Sequence, residues 1–380
     1  MKEYKLEELF DLQMGKTPSR DNPEYWGSKD NKWISIGDLS KSGKYINETK
    51  EYISDKAVSE SGISQIPANT VVMSFKLSIG KTAITAEPMY SNEAIMSFRD
   101  RHIAELLPDY IYYMFSGRDW DTGTNKAVMG KTLNKATLSS IRIRVHSIEE
   151  QQYIVRVLDK LVALIDAYKE ELSMLDDLIK ARFVEMFGAD VSNGVPLKEC
   201  CLDVRGGGTP SMQHPEYYRG DVPFIKSGDV RGDVVFSGAL WLTEKALSET
   251  TAKYIPAGSV LVVNRSAALL KEFRAAIAGQ PVVINQDIKA FIPKPAYTSQ
   301  YLLWAIKIQT QYLLTRVTTV LTSHIDLKDL LELRISPAPV ERQNAFSAFV
   351  AQVDKSKVAV QKALDEAQLL FDSLMQQYFG

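Results

Sequence analysis

Two stretches of the chain carry a seven-residue hydrophobic rhythm. From Ile154 the apolar positions step by four and three through Leu158, Leu161, Ile165, Tyr168, Leu172, Leu175 and Ile179. The rhythm returns 192 positions later, through Phe346, Val350, Val353, Lys357, Val360, Leu364, Ala367, Phe371, Leu374 and Tyr378. This spacing is that of a coiled-coil seam, narrower than the apolar face of a globular-protein helix. Ser147 and Glu150 have capping-box spacing, which satisfies free N–H groups at a helix start. Gly188 and Gly380 stand where a left-handed residue ends a helix. Each helix is then about 40 residues and about 60 Å long. A seam of that length needs cover, and shared register and length make the two helices each other's partner. Antiparallel pairing is favoured, because the segment between them must leave one helix end and return to the start of the other. Lys357 is the flaw in the seam and calls for a nearby carboxylate or a partner's surface.

Residues 1–147 and 189–339 read differently. Short β-rich runs (Trp33–Ile36, Val71–Phe75, Ala83–Ala86) alternate with turn clusters such as Asp21-Asn22-Pro23 and Ser42-Gly43-Lys44. Helical spacing appears in Asp109–Phe115 and again in Ser299–Ala305, and both aromatic stripes read as core. Each segment is thus α+β, a β-rich body with helices at its C-terminal side.

The two bodies are copies of one another. Gly15-Lys16-Thr17-Pro18-Ser19 recurs as Gly208-Thr209-Pro210-Ser211, and Asn22-Pro23-Glu24-Tyr25-Trp26 as His214-Pro215-Glu216-Tyr217-Tyr218. Trp33-Ile34-Ser35-Ile36-Gly37-Asp38 returns as Phe224-Ile225-Lys226-Ser227-Gly228-Asp229, and Ile66-Pro67-Ala68 as Ile255-Pro256-Ala257. The frame persists while loops change, as in Phe75–Lys81 against Asn264–Leu270. One scaffold with two different surfaces suits two ligands or two half-sites.

Composition adds limits. The 380 residues are 45% hydrophobic and 24% charged, as in soluble globular chains. No apolar run approaches the ~20 residues of a membrane helix, and Met1–Lys5 lacks a signal-peptide core; a cytoplasmic protein is expected. The adjacent Cys200 and Cys201 form no disulfide framework and read as small strand hydrophobes, and the four scattered histidines give no metal spacing. Net charge is −2, and the acidity sits mostly in residues 149–188, with nine acidic against five basic side chains. That balance permits a polyanion ligand for the bodies without proving one.

Catalytic signatures fail one by one. Gly-Lys-Thr occurs three times, but a phosphate-cradling loop needs glycine where Phe10, Phe75 and Asn125 stand. Asn22-Pro23-Glu24-Tyr25 has glutamate where an amino-methyltransferase motif needs proline. Asp109 has no Asp-x-Lys neighbour for metal-assisted nuclease chemistry. The chain reads as non-catalytic.

Two homologous variable bodies, each followed by a long helix, resemble the specificity subunit of type I restriction–modification systems. The marks are Gly-x-Thr-Pro-Ser near each start, Gly-Asp after a strand, Glu-x-Gln opening each helix (Glu149-Glu150-Gln151-Gln152; Glu341-Arg342-Gln343), and the endings Phe187-Gly188 and Tyr378-Phe379-Gly380. One departure is His146-Ser147-Ile148 where the family often has a proline-rich opening, which Pro337-Ala338-Pro339 retains. The resemblance covers the whole chain. It implies target-recognition domains at 1–147 and 189–339, spacer helices at 148–188 and 340–380, and a pseudo-two-fold repeat with two antiparallel coiled-coil helices.

By the same resemblance, the chain reads a bipartite, asymmetric target in double-stranded DNA. It directs two methyltransferase subunits, with two restriction–translocation subunits as an optional addition. S-adenosylmethionine, ATP and magnesium belong to those partners, not to this chain. DNA contacts should use Lys and Arg for phosphates and Arg, Asn or Gln for bases. The chosen residues are Lys16, Arg20, Lys76, Lys81 and Lys131 in the first domain, and Arg205, Arg265, Lys271, Arg274 and Arg316 in the second. Thr17, Thr209, Asp38 and Asp229 read as turn formers. A coiled-coil scaffold whose twin domains bind proteins or peptides remains the alternative, and salt-dependent DNA binding separates the two.

Overall fold

The computed structural model describes the chain except Leu77, 121–124, 128–129 and 320–321, and the side chains of 125–127 and 130–132. It divides into two compact units, Met1–Lys169 with Lys362–Gly380, and Glu170–Gln361.

The two larger sheets of the first unit are built from β1 (Phe10–Met14), β2 (Trp26–Ile34), β3 (Tyr45–Ile46), β4 (Glu51–Ile53), β5 (Val71–Ser74), β6 (Thr82–Thr85), β7 (Tyr90–Ser91) and β8 (Ile95–Asp100). A five-stranded sheet has the order β1-β8-β5-β6-β3, and a three-stranded sheet the order β4-β2-β7. Those of the second unit are built from β9 (Cys201–Gly206), β10 (Tyr218–Ile225), β11 (Val234–Val235), β12 (Leu240–Leu242), β13 (Tyr254–Ile255), β14 (Val260–Val263), β15 (Ala275–Ala278), β16 (Val282–Ile284) and β17 (Ile288–Pro293). They have the orders β9-β17-β14-β15-β11 and β12-β10-β16-β13. The repeat extends to register. Val71 sits opposite Ile84 and Phe98, and Val260 opposite Ile277 and Phe291. Where the second unit has β13 beside β16, the first has the single bridge Ile66–Met89.

The central strands read as continuous apolar runs because both faces are covered. Val71 and Met73 join a core with Phe98, Tyr110 and Phe115, while Val72 points into another with Ile34 and Ile95. The helices α1 (Pro108–Ser116) and α3 (Ser299–Lys307) cover the outer face of each five-stranded sheet. The aromatic stripes are indeed core: Tyr110, Phe115 and Tyr301 are fully buried. One expected boundary moves. The strand read as Trp33–Ile36 runs from Trp26 to Ile34, and Ile36–Leu39 is a short helical turn. The Asp38 carboxylate accepts the Ser35 N–H (2.8 Å) and O–H (2.7 Å), which ends the strand by capping that turn.

The long helices are α2 (Ile148–Phe187) and α4 (Val340–Phe379). Ser147 and Glu150 form the capping box, and Gly188 has φ +81°. In the second unit the pairing is antiparallel. Asp176 meets Lys357, Arg182 lies 5.7 Å from the Phe349 ring, and Phe187 lies against both Phe346 and Arg342. In the first unit Ile154 and Leu158 share a core with Phe371, Leu374, Met375 and Tyr378. Seam residues Ile154, Leu158, Leu161, Ile165, Ile179, Phe346, Val350, Val353 and Val360 are buried. Leu172, Leu175, Leu364, Phe371 and Leu374 are half-buried. The seam serves two surfaces: Ile179, Phe346, Val350 and Val353 also join the domain core around Tyr301 and Leu302.

Two further devices fix each body to its helix. Gln151 is fully buried; its carbonyl accepts the Leu107 N–H (3.0 Å) and its amide donates to the Glu105 and His146 carbonyls. Gln343 does the same with Thr298, Ala296 and Ala338. The Glu-x-Gln motif is therefore a staple. The second device is ionic. Lys44 lies 2.6 Å from Asp159 on α2 and 2.5 Å from Asp109 on α1. Asp233 pairs with Lys307 of α3 and lies 3.9 Å from Lys357 of α4. The seam lysine thus finds the carboxylates it required: Asp176, Asp354 at 3.8 Å, and Asp233.

Candidate nucleic-acid interface

Three segments meet at one end of each five-stranded sheet. They are the segment after the first strand, the connection between β5 and β6 (β14 and β15), and the turn before β8 (β17). A close backbone crossing sets their positions. Lys16 N–H donates to the Ser91 carbonyl (2.8 Å), and Gly208 N–H to the Ile284 carbonyl (3.0 Å). A Cβ on Gly15 would lie 2.2 Å from the Ser91 oxygen, and one on Gly207 2.1 Å from the Asn285 oxygen. The motif needs glycine because only a bare Cα fits there. Aromatic side chains then pin the rest: Trp26 Nε1 donates to the Ser19 carbonyl (3.0 Å), and Tyr218 Oη to the Pro210 carbonyl (2.7 Å).

The motif threonines are more than turn formers. Thr17 Oγ1 donates to the Glu93 carboxylate, and Thr209 Oγ1 donates to the Gln286 side-chain carbonyl. Glu93 and Gln286 are both exposed and occupy the same place before the strand. The Thr17 hydrogen bond holds the Glu93 carboxyl below its usual range, helped by the charges of Lys76 and Arg20. Arg20 stacks 3.7 Å from the Trp26 ring centroid and grips Glu51 at 2.5 and 3.1 Å. That grip pushes its guanidinium pKa up.

The second domain builds this corner from different groups. Lys289, half-buried on β17, donates to the Gln286 backbone carbonyl (3.3 Å). Burial, and then the Arg265 charge, pull its amine down. Arg265 follows β14, with its backbone bridged to His324. Asn264 and Asn285, both buried, each keep a side-chain carbonyl oxygen without a hydrogen bond among the described residues. Phe75 occupies the Asn264 position in the first copy, so this one buried position is apolar in one domain and polar in the other.

The chosen cations divide by place. Arg20 and Lys76 lie around Glu93, and Arg265 around Lys289. Lys16 is in the motif segment, but its amine donates to the Ser61 carbonyl. Lys81 is exposed at the end of the β5–β6 connection. The Lys131 side chain lies outside the described residues. Arg205 pairs with Asp203 at 2.7 Å on β9, next to Gly206, whose Cβ would lie 3.2 Å from Lys289 Nζ. Lys271 is exposed after the turn Ala267–Leu270. Arg274 pairs with Glu272 at 2.8 Å and lines a groove of about 590 Å³ with Asp233, Lys307 and Lys357, beside the helices. Arg316 lies 3.6 Å from Asp329. Sequence reasoning passed over Glu93, Gln286 and Lys289. The repeated asparagine of Ser91-Asn92-Glu93 and Ile284-Asn285-Gln286 was the available signal.

Cys200 and Cys201 are buried free thiols, and burial pushes Cys201 up to about 12. Among the described residues no helix is long and apolar enough to cross a membrane.

A duplicated α+β body, each copy stapled to a long helix and each presenting its own polar corner, is a two-module recognition architecture. Residues 1–175 and 195–367 match the family described as the type I restriction modification DNA specificity domain, and the chain belongs to that family. It is similar to the type I restriction enzyme MjaIX specificity subunit of Methanocaldococcus jannaschii, 25% identical over 296 residues, which cover 72% of this chain and 68% of that protein. It is also similar to the EcoR124I/EcoR124II specificity subunit of Escherichia coli, 30% identical over 220 residues, or 55% of this chain and 52% of that one. Two solved structures share the fold. One is a chain from work on complex assembly and conformational transition of a type I R-M system (TM-score 0.60, 18% identity, 100% of this chain and 97% of that one). The other is the type I restriction–modification S subunit from M. genitalium (TM-score 0.53, 12% identity, 100% and 96%).

Proposed function

We propose that this chain is the non-catalytic specificity subunit of a type I restriction–modification complex in the cytoplasm. Each domain reads one half of a bipartite, asymmetric sequence in double-stranded DNA, and the helices set the gap between the halves. The single observation that carries this reading is the contrast between matching corners: Glu93 with Arg20 and Lys76 in one domain, Gln286 with Arg265 and Lys289 in the other. The same backbone frame presents different donors and acceptors, as two half-sites of different sequence require. The acidic excess of residues 149–188 suits protein partners better than phosphate. Two methyltransferase subunits dock there and supply S-adenosylmethionine chemistry on adenine. Restriction–translocation subunits, two where present, supply ATP- and magnesium-dependent steps.

The test has two stages. The purified chain should bind duplex DNA with a log–log salt slope of several units, the signature of counterion release. It should transfer no methyl group and cut no DNA until a methyltransferase subunit is added, after which methylated adenines should map to one split, asymmetric sequence. Affinity for proteins or peptides with no salt-dependent DNA binding would instead establish the scaffold reading.

A further inference from the structure

The geometry points to Glu93 and Gln286 as base-reading side chains, Glu93 accepting a hydrogen bond from the exocyclic amino group of cytosine and Gln286 pairing with adenine. This rests on the DNA-reading function proposed above. Three observations carry it.

The first is equivalence of place. Glu93 precedes β8 and Gln286 precedes β17, the second strand of each five-stranded sheet, and each side chain takes a hydrogen bond from the threonine of the repeated motif. The holder is constant and the held group differs, which is what a specificity position on a duplicated scaffold requires.

The second is exposure amid cations. Both side chains are exposed. Lys76 and Arg20 act electrostatically on Glu93, while Lys289 donates to the backbone of Gln286 beside Arg265. Cations at such a corner attract phosphates and bring the groove close. A carboxylate held among them repels phosphate and suits a hydrogen-bond donor instead.

The third is the chemistry left over. Thr17 engages Glu93 Oε2, and the exposed carboxylate, an acceptor only, has further lone pairs matched to the cytosine amino group. Thr209 engages Gln286 Oε1 from one side, leaving the amide NH₂ to donate and a second carbonyl lone pair to accept. That pair matches the N7 acceptor and N6 donor of adenine.

The experiment uses the full chain with a methyltransferase subunit, expressed in a host lacking other adenine methylation, and maps methylated sites by sequencing. Glu93→Gln should change the preferred base at one position of one half-site, from cytosine towards adenine, and leave the other half and the gap intact. Gln286→Glu should change one position of the other half, from adenine towards cytosine. Glu93→Ala and Gln286→Ala serve as second variants, read by competition binding against duplexes substituted one base at a time. Discrimination at that one position should fall roughly tenfold. An unchanged consensus, or an affinity loss spread evenly over all duplexes, overturns the inference while leaving the DNA-reading function standing. A wild-type complex that methylates no split sequence fails at the earlier step and takes the inference with it.

Discussion

Lys44 and Asp233 occupy the same place in the two copies of the fold and carry opposite charges. Each precedes the edge strand of its five-stranded sheet, and each backbone carbonyl accepts from an isoleucine N–H, Ile84 for one and Ile277 for the other. Each charge is answered from a long helix, Lys44 by Asp159 and Asp233 by Lys357. Divergence of the bodies has therefore kept a domain-to-helix ion pair while reversing its sign. The burial differs, with side-chain exposures of 19% for Lys44 and Lys357, 45% for Asp159 and 9% for Asp233.

The pairs should be measurable by double-mutant cycles in chemical unfolding. Lys357→Met with Asp233→Asn should show a coupling of about 1–2 kcal/mol, because Asp233 is buried and Lys307, which stays in place, pairs with its other carboxylate oxygen. Lys44→Met with Asp159→Asn should show less, about 0.5 kcal/mol, since water screens the half-exposed Asp159. Equal couplings in both domains would contradict the burial argument.

Replacing either staple should cost more than any surface change. Gln343→Leu would leave the Thr298 N–H and the carbonyls of Ala296 and Ala338 without their partner inside the body. At about 1 kcal/mol or more for each stranded group, the variant should lose about 3 kcal/mol in urea unfolding, and Gln151→Leu a similar amount. A loss below 0.5 kcal/mol in both would show that water replaces the glutamine at no cost.

Glycine substitutions separate the motif from ordinary turns. Gly15→Ala forces a methyl group to 2.2 Å from the Ser91 oxygen, whereas a Cβ on Gly43 meets nothing within 4 Å. The first should lower stability by about 1–3 kcal/mol and displace Thr17 from Glu93; the second should stay within about 0.5 kcal/mol of wild type. Thermal melting of the two variants side by side checks this.

His146 gives the helix start a pH dependence. Its Nδ1 lies 2.7 Å from Tyr110 Oη, and burial holds its pKa below the ordinary value of about 6.5. The unfolded chain then binds the proton more readily, so this contribution to stability is complete above pH ~6.5 and is lost as the pH falls through the folded pKa. The stability difference between pH 7.5 and 5.5 should shrink in His146→Phe, measured by urea unfolding at each pH.

Much of this architecture was legible because it is periodic or duplicated. The seam is a 4-3 rhythm whose positions are all buried or half-buried, and even its flaw at Lys357 called for the carboxylates that surround it. The glutamine of Glu-x-Gln was visible as a motif, but its role was not, since a staple is defined by backbone groups of a distant loop. The β2 boundary moved because Asp38 caps a turn that β-propensity alone cannot reveal. The site was the least legible. Lone cations were chosen by charge, yet Arg20, Arg205 and Arg274 each face a carboxylate. The groups that share one corner, Glu93 with Thr17 and Gln286 with Thr209, lie more than seventy residues apart.

Cutting the chain after the first helix tests the repeat most directly. A fragment of residues 1–188 keeps one body and the whole of α2, but loses the α4 side chains that share its core, among them Phe371, Leu374 and Met375. The repeat supplies replacements. Met375 lies 192 positions after Phe183, and Phe346 the same distance after Ile154. A second copy of the fragment running antiparallel therefore offers Phe183 to Ile154 at one end and Ile154 to Phe183 at the other, the two contacts being related by symmetry. Exposing each seam side chain costs roughly 1.5–3 kcal/mol, so several such residues favour self-pairing strongly. The fragment should sediment as a two-fold dimer, and with a methyltransferase subunit it should methylate a palindrome built from the first half-site and its inverted copy. Ile154→Asp should return it to a monomer. A folded, strictly monomeric wild-type fragment would mean that α2 cannot stand in for α4, and that the matched registers of the two helices do not make them interchangeable.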